Sequence, residues 1–252
     1  YVRVRGRAAQ FWPIGAGFIF SLQGEGGAIR SFENRDAPGQ DKVRLVDRFF
    51  LGEPQIRGFD IRGVGPRVLR YPLDDDGNPI TDRDRVGDDA IGGNAYYLGR
   101  AEVEIPLGSG ARELGIRPSV FVDVGALFSV TTPITQSISG IYQQINVATL
   151  VTPPGGGAPV CTPGTNPGDV TTVTNPINPN PPACLTSANN AQVGAGFQEE
   201  FLGNSAAPRV SVGIGANWNS PFGPLRIDLA YALRKEPGDD TKTFSFNVGT
   251  QF

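Results

Sequence analysis

The sequence predicts an all-β fold, an antiparallel transmembrane β-barrel to which this chain contributes seven strands. Three observations lead to this prediction. Apolar and polar residues alternate in seven segments, the connections between these segments are alternately short and long, and aromatic residues lie beside the short ones. Alternation with a period of two is typical of a strand with two different faces. The 34 Gly and 22 Pro among 252 residues also argue against long helices, whose interiors neither residue favours.

Each strand is predicted from its own alternation. In the last one, Phe244, Phe246, Val248 and Phe252 alternate with small or polar residues. Most of the segments are close to the roughly 9–11 residues that a tilted strand needs to cross a bilayer. In chain order the predicted strands lie within residues 2–12, 18–23, 95–105, 120–128, 209–218, 227–233 and 244–252.

The connections favour a membrane barrel over a soluble β-sandwich, which alternation alone also fits. The short connections are 13–17, 107–117 and 220–224, and the long ones are 31–93 and 131–207. Outer-membrane barrels alternate short periplasmic turns with long extracellular loops in this way. Trp12, Trp218 and Phe252 lie on the short-turn side, where an interfacial aromatic girdle is expected.

In such a barrel the apolar strand faces meet lipid and the charged faces line the lumen. We therefore expect Ile214→Arg or Leu229→Arg to be badly tolerated. A polar change at Ser211 or Ser245 should be mild, because lumen positions already meet water.

Seven strands cannot close a bacterial barrel, because closed barrels normally have an even number and open edges are not viable in lipid. We therefore expect further strands N-terminal to Tyr1, and the lack of any Met agrees with this. No run of 18 or more apolar residues predicts a transmembrane helix. The absence of His and the presence of only two Cys exclude His-based catalysis and the common zinc sites, so we predict no metal and no cofactor. A net charge of −3 gives no basic excess for nucleic acid.

Loop 131–207 is rich in Pro, Gly, Asn and Thr and has too few apolar residues for a core, which predicts a mobile surface loop. Cys161 and Cys184 both lie in it. Because the cell surface is oxidising, we predict that they form a disulfide. The alternative is two unpaired thiols.

The segment RFFLGEPQIRGFDIRGVGPR, residues 48–67, resembles the long loop of the bacterial surface antigen family, the outer-membrane assembly barrels. The family motif of Val or Ile, Arg, Gly and an aromatic residue corresponds to Ile56, Arg57, Gly58 and Phe59. Four further matches follow in the family's order: IGGNAYYLGRAEVEIPLG at 91–108, VFVDVG at 120–125, NSPFGPLRIDLAY at 219–231 and FSFNVGTQF at 244–252. The resemblance covers nearly the whole chain except loop 131–207, and it makes the seven strands the last seven of the family's 16.

The resemblance implies a loop lock inside the barrel. In this family the long loop folds into the lumen, and its motif arginine pairs with an acid on one strand and an aromatic-x-Asp segment on the next. By matched position, Arg57 should meet Glu102, Phe121 and Asp123. These three residues also fall on the predicted polar face, and a planar guanidinium can bond two carboxylates and stack on a ring. The alternative is that Arg57 is a solvated loop arginine.

The terminal strand resembles the segment that forms one side of a lateral seam in this family. Phe244, Phe246, Val248 and Phe252 supply its apolar face, and Gly249 matches a glycine that weakens the strand. Glycine inside a strand does weaken pairing. The alternative for Gly249 is a small lumen residue that relieves crowding.

The family resemblance implies a non-enzymatic protein of the Gram-negative outer membrane that inserts and folds β-barrel proteins. Its implied partners are outer-membrane lipids, unfolded outer-membrane protein clients, and assembly lipoproteins bound mainly by periplasmic POTRA domains upstream of Tyr1. One alternative is a related translocation-assembly or secretion barrel, which the number of POTRA domains would distinguish. An alternative of another class is a passive porin, which steady channel conductance would reveal.

Overall fold

The structure is a computed structural model of the chain. It describes the backbone of residues 1–33, 37–74, 76–107, 115–144, 148–151, 160–163, 176–179, 182–184, 190–220 and 223–248. Side chains are described for residues 1–33, 37–74, 76–107, 115–138, 196–218 and 223–248.

Strands dominate the described residues, and one short 3-10 helix covers Leu45–Asp47. No helix in this part of the chain is long and apolar enough to cross a membrane. The strands are β1 (Val2–Gly15), β2 (Phe18–Arg30), β3 (Arg67–Pro72), β4 (Gly87–Ala90), β5 (Ala95–Glu104), β6 (Ile116–Phe128), β7 (Ser137–Gln144), β8 (Ala148–Val151), β9 (Val160–Pro163), β10 (Pro176–Pro179), β11 (Pro182–Cys184), β12 (Asn190–Leu202), β13 (Arg209–Ser220), β14 (Gly223–Arg234) and β15 (Phe244–Val248).

Seven of these strands form one antiparallel sheet in the order β1-β2-β5-β6-β13-β14-β15. They correspond one for one to the seven strands predicted from alternation, and that prediction is confirmed. The long connections leave after β2 and β6, as expected from the sequence. This main sheet belongs to the first of two compact units, which comprises Tyr1–Arg70, Gly87–Thr135 and Glu199–Phe252.

The two faces of the main sheet differ as the barrel interpretation requires. On β6, Val120 and Val122 are 42% and 41% exposed, whereas Phe121 and Asp123 are 4% and 0% exposed. The apolar face is therefore open and the polar face is covered, the reverse of a soluble sandwich. Trp12 and Trp218 lie on the open face, beside short connections.

The polar face is covered by residues 48–67, hereafter the inner loop. Five of its apolar side chains, Phe49, Leu51, Ile56, Phe59 and Val64, are at most 5% exposed. They pack in one apolar cluster whose other members are Ile29, Val43, Tyr96 and Leu127. Burial of these apolar side chains, at roughly 25 cal/mol per Å², helps to seat the loop.

The premise of the expectation for Ser211 and Ser245, that both positions meet water, is wrong. Ser211 is 0% exposed and Ser245 is 6% exposed, so neither side chain meets the water that was expected at these positions. The inner loop lies directly over Ser211: a Cβ placed on Gly58 would be 3.1 Å from the Ser211 Cβ. Larger polar side chains there would collide with the loop.

The second compact unit comprises Tyr71–Val86 and Gln136–Gln198. Within it β7 pairs antiparallel with β12, β8 with β9, and β10 with β11. The sequence analysis predicted no strands in loop 131–207, because this loop shows little of the apolar alternation from which the other strands were predicted. The side chains of Cys161 and Cys184 lie outside the described residues, so the disulfide stays a prediction.

Asp41 joins the beginnings of the two long connections through hydrogen bonds. Its Oδ1 accepts the Val43 N–H at 2.8 Å, its Oδ2 accepts the Thr131 N–H at 2.7 Å, and both oxygens accept from the Asn94 side chain at 3.1 Å. Burial raises the pKa of Asp41, but these hydrogen bonds and nearby Arg48 outweigh it and hold that pKa below its ordinary value.

We expect Asp41→Asn to reduce local stability at neutral pH by about 1–3 kcal/mol, since charged acceptors are lost. A carboxyl whose pKa is lowered on folding stabilises the fold above its ordinary pKa, and this contribution disappears as pH falls through the lowered value. Hydrogen exchange of the Val43 and Thr131 amides measures the effect. The difference between variant and wild type should shrink in acid; a difference that is independent of pH would contradict this account.

Candidate functional site

The four residues expected to form the loop lock meet on the polar face of the main sheet. The Arg57 Nε and Nη2 donate to the two Asp123 oxygens, each at 2.7 Å, and Nη1 donates to Glu102 Oε2 at 2.9 Å. The Arg57 backbone N–H also donates to Asp123 Oδ2 at 3.0 Å. The guanidinium carbon lies 3.3 Å from the centre of the Phe121 ring. Arg57 is 2% exposed.

The local fold of the motif explains why each of its residues is needed. Ile56 and Phe59, both 0% exposed, anchor the segment in the apolar cluster on either side of Arg57. Gly58 has a φ of +84°, which L side chains rarely adopt. It also lies close to Ser211 and Ala230, so a side chain there would lift the loop from the sheet.

Arg57 is part of a larger charge cluster that sequence reasoning did not find. Arg226 donates through Nη2 to Glu102 Oε1 at 3.0 Å and through Nε to both Asp228 oxygens, at 2.9 and 3.0 Å. Asp228 Oδ1 lies 3.8 Å from Arg57 Nη1. Arg100 Nε lies 3.4 Å from Asp123 Oδ1. The charge cluster thus combines three guanidinium and three carboxylate groups: Arg57, Arg100, Arg226, Glu102, Asp123 and Asp228.

The face of the strand on which a residue lies was the sequence signal that could have pointed to the additional members of the charge cluster. Arg100 and Asp228 occupy the polar face of their strands in the alternation pattern. Pairing places Arg100 opposite Asp123, and Asp228 opposite both Gly215 and Ser245. Only the register between strands, which alternation does not provide, brings these charges into one cluster.

Arg100 fastens the inner loop from the sheet side. Its Nη2 donates to the carbonyl oxygens of Pro54 and Gln55, at 2.8 and 2.9 Å. Arg57 and Arg100 therefore make reciprocal contacts, because one arginine reaches from the loop to the sheet and the other from the sheet to the loop.

Two glycines of β13 leave room for the cluster. A Cβ on Gly213 would lie 2.5 Å from the Phe121 ring, and one on Gly215 would collide with the Asp228 carboxylate. The sequence analysis gave these glycines no role. Their function is steric, since the ring under Arg57 fills the space that a side chain would occupy.

We expect Gly213→Ala to destabilise the protein by about 1–3 kcal/mol, because the added methyl group would collide with the Leu229 carbonyl oxygen and, at 2.5 Å, with the Phe121 ring. The matched control is Gly99→Ala, also within a strand of the main sheet, where the nearest atom to a new Cβ is 3.9 Å away. Denaturant unfolding of both variants measures the difference. Equal midpoints would show that the glycine is not there for the ring.

The whole length of the chain matches a known protein superfamily. The model of the Omp85 superfamily domain matches residues 1–252. The chain belongs to the Omp85 superfamily.

Two relatives of this Omp85 chain are both named outer membrane protein assembly factor BamA. The protein from Neorickettsia risticii is 29% identical over 239 residues, which are 95% of this chain and 19% of the relative. The protein from Neisseria meningitidis serogroup B is 24% identical over 244 residues, 96% of this chain and 23% of the relative. The chain therefore spans about a fifth of the length of the curated relatives it matches.

A solved structure supports the fold. The crystal structure of BamA from Haemophilus ducreyi lacking POTRA domains 1-3 matches with a TM-score of 0.55 at 19% identity, and the match covers 97% of this chain and 34% of that one. The chain is accordingly part of an outer-membrane β-barrel.

The terminal strand of this Omp85 domain has the predicted faces where it is described. Phe244, Phe246 and Val248 are 53%, 51% and 56% exposed, and Ser245 between them is 6% exposed. Strand β15 pairs with β14 from Phe244 opposite Leu229 to Val248 opposite Leu225. Gly249 and Phe252 lie outside the described residues, so their roles at a seam remain predictions.

The inner loop of the Omp85 domain also reaches the connection between β14 and β15. The Asp60 N–H donates to the Asp240 carbonyl at 3.1 Å, and the Asp240 N–H donates to the Gly63 carbonyl at 2.8 Å. The Lys242 N–H donates to the Gly58 carbonyl at 3.2 Å. The segment that delivers the terminal strand is thus bonded along its length to the loop that carries Arg57.

Proposed function

We propose that this chain is the C-terminal part of a barrel that inserts and folds β-barrel proteins into the Gram-negative outer membrane, without enzymatic chemistry. The observation that carries the proposal is the inner loop itself. In an Omp85 domain, the motif Ile56–Phe59 is seated on the lumen side through Arg57, Glu102, Phe121 and Asp123. The relatives from Neorickettsia risticii and Neisseria meningitidis, both named outer membrane protein assembly factor, support the proposal.

The geometry favours assembly over passive conduction because the loop occupies the face that would line a channel. The apolar cluster and the charge cluster together hold residues 48–67 against five strands of the sheet, namely β2, β5, β6, β13 and β14. A loop held by two such anchors fills space on the face of the sheet that would line a channel. A porin needs that space open to water.

The terminal strand supplies the second requirement of assembly. In the described residues β15 lies at the end of the main sheet, with β14 on one side. Unpaired N–H and C=O groups of an edge strand recruit another strand. In the proposed mechanism β15 forms a lateral seam with a strand upstream of Tyr1, and opening of the seam offers the edge to an incoming client. Outer-membrane lipids surround the barrel, and assembly lipoproteins bind mainly the upstream POTRA domains.

The test is catalysed folding by the full-length protein. Purified protein is reconstituted in phosphatidylethanolamine-containing vesicles, and a urea-unfolded eight-stranded barrel protein is added as client. The folded fraction is followed by the gel shift between heated and unheated samples. We expect faster client folding than in empty vesicles or in vesicles that carry a porin at the same protein-to-lipid ratio.

Client folding no faster than in the porin vesicles, together with large steady single-channel conductance, would overturn the proposal in favour of a passive porin. The Arg57→Ala protein provides the link to the site. It should fold clients more slowly than wild type when equal amounts of folded barrel are compared.

A further inference from the structure

Glu53 joins the inner loop to the last strand at a place distinct from the charge cluster. Its Oε1 accepts from Asn247 Nδ2 of β15 at 3.2 Å, and its Oε2 lies 3.1 Å from Lys242 Nζ in the preceding connection. The Glu53 residue is 8% exposed. One buried carboxylate thus holds both the terminal strand and the segment that leads into it.

Further contacts near this carboxylate attach the inner loop to the connection between β14 and β15. Residues 58–63 are hydrogen-bonded to 240–242 through the backbone, and Phe59 forms a β-bridge with Thr241. In the middle of the connection, Asp239 is fixed by Arg209 at 2.9 Å and accepts the Gly65 N–H at 3.3 Å. Backbone bonds position the connection, but only Glu53 extends the attachment from the loop into β15 itself among the contacts described.

Strand β15 is described as far as Val248, and over Phe244–Val248 it pairs with β14. On its other side no strand pairs with it among the described residues. A hydrogen bond to a charged group is roughly twice as strong as one between neutral groups, so the Glu53 contact adds to the ladder in holding this stretch.

We infer that Glu53 is the positioning residue of the terminal strand, acting independently of the Arg57 contacts. Arg57 fixes the loop to β5 and β6, while Glu53 uses the fixed loop as a support from which it restrains β15. The stability of the terminal edge is therefore set by a side chain of the loop as well as by the ladder to β14. The consequence for client insertion rests on the proposed function, since a restrained edge strand governs when the seam can open.

Hydrogen–deuterium exchange of the full-length protein in lipid nanodiscs tests the inference without an assembly assay. In Glu53→Ala, amides of residues 241–248 should exchange roughly tenfold faster than in wild type, because a hydrogen bond to a charged group is lost. Exchange in β6 and in residues 55–59 should stay unchanged. The matched control is Asp84→Ala, which removes an exposed carboxylate from the same long connection.

Conservative variants separate positioning from a general loss of structure. Glu53→Gln keeps an oxygen that can accept from Asn247 but loses the ion pair with Lys242, so its exchange rate should fall between those of wild type and Glu53→Ala. If Glu53→Ala yields no folded barrel, Asn247→Ala and Lys242→Ala each remove one of the two Glu53 contacts, the latter together with the 3.7 Å approach of Lys242 to Asp60, and both should raise exchange in 241–248 selectively.

Unchanged exchange in 241–248 in the folded variants would overturn the inference. So would an equal increase in β6, since the effect would then be global. Client folding is measured separately: if the wild-type protein does not accelerate it while the exchange result holds, the proposed function fails and the positioning role of Glu53 stands.

Discussion

Replacing Arg57 by alanine should lower the free energy of unfolding by about 3–5 kcal/mol. The variant removes the cation that bonds both Asp123 and Glu102, which are 0% and 7% exposed, and leaves the three carboxylates of the cluster with only Arg100 and Arg226. Water in an open lumen would screen these charges and reduce the loss, but the inner loop itself covers the site. The Arg57 backbone bond to Asp123 survives in the variant, so the loss reports the side chain.

A double-mutant cycle with Asp123→Ala, read from denaturant unfolding of the full-length barrel in detergent, isolates the pair. We expect a coupling energy of about 2 kcal/mol or more. Arg57→Lys should restore only part of the stability, because a point charge cannot bond Asp123 and Glu102 in one plane or stack on Phe121. Arg44→Ala is the control: its side chain, in the same connection, is 62% exposed. Additive effects of the two alanine changes would exclude the interaction.

Replacing Ile214 by arginine should cost about 2–4 kcal/mol, the penalty for a cation on the lipid face near the membrane midplane. Ile214 lies midway along β13 on the open face and is 57% exposed. Its neighbours across the ladders are Val120 and Leu229, which are 42% and 47% exposed. The charge would therefore enter an apolar surface with no acid near it on either adjacent strand.

The measurement is unfolding of the full-length protein in lipid vesicles, where the open face meets hydrocarbon. Ile214→Leu is the control, since it keeps both apolar character and volume and should cost less than 1.5 kcal/mol. If arginine and leucine have the same effect, the assignment of lipid and lumen faces is wrong, and with it the orientation of the whole sheet.

The strands and their faces could be predicted from the sequence because each depends on a local pattern. Alternation along β6 separates Val120 and Val122 from Phe121 and Asp123 without reference to any other strand. The burial of Ser211 could not be predicted in this way. Its parity was assigned correctly, but its burial depends on a loop more than 140 positions earlier in the chain, and no local pattern encodes that contact.

Some residues of the site could likewise be named from the sequence, and others could not. The motif around Arg57 and its partners Glu102, Phe121 and Asp123 were named from a family resemblance together with strand parity. Arg226 and Asp228 were not, because a charged residue on a lumen face is ordinary and only register shows which charges meet. Glu53 had no signal at all, since its contacts with Lys242 and Asn247 require both the seated loop and the returning hairpin.

By itself, then, the sequence determined the all-β class, the seven strands, their inner and outer faces, and the motif that carries the lock. The fold class, the strands and their faces follow from residue type and spacing, which act over a few positions, whereas the motif was named through a family resemblance. Tertiary structure alone decided that six charges share one cluster, that Gly213 makes room for the Phe121 ring, and that the inner loop holds the terminal strand through Glu53. Those features arise when register and loop closure bring distant segments within hydrogen-bond distance, where burial makes each charge depend on its partner.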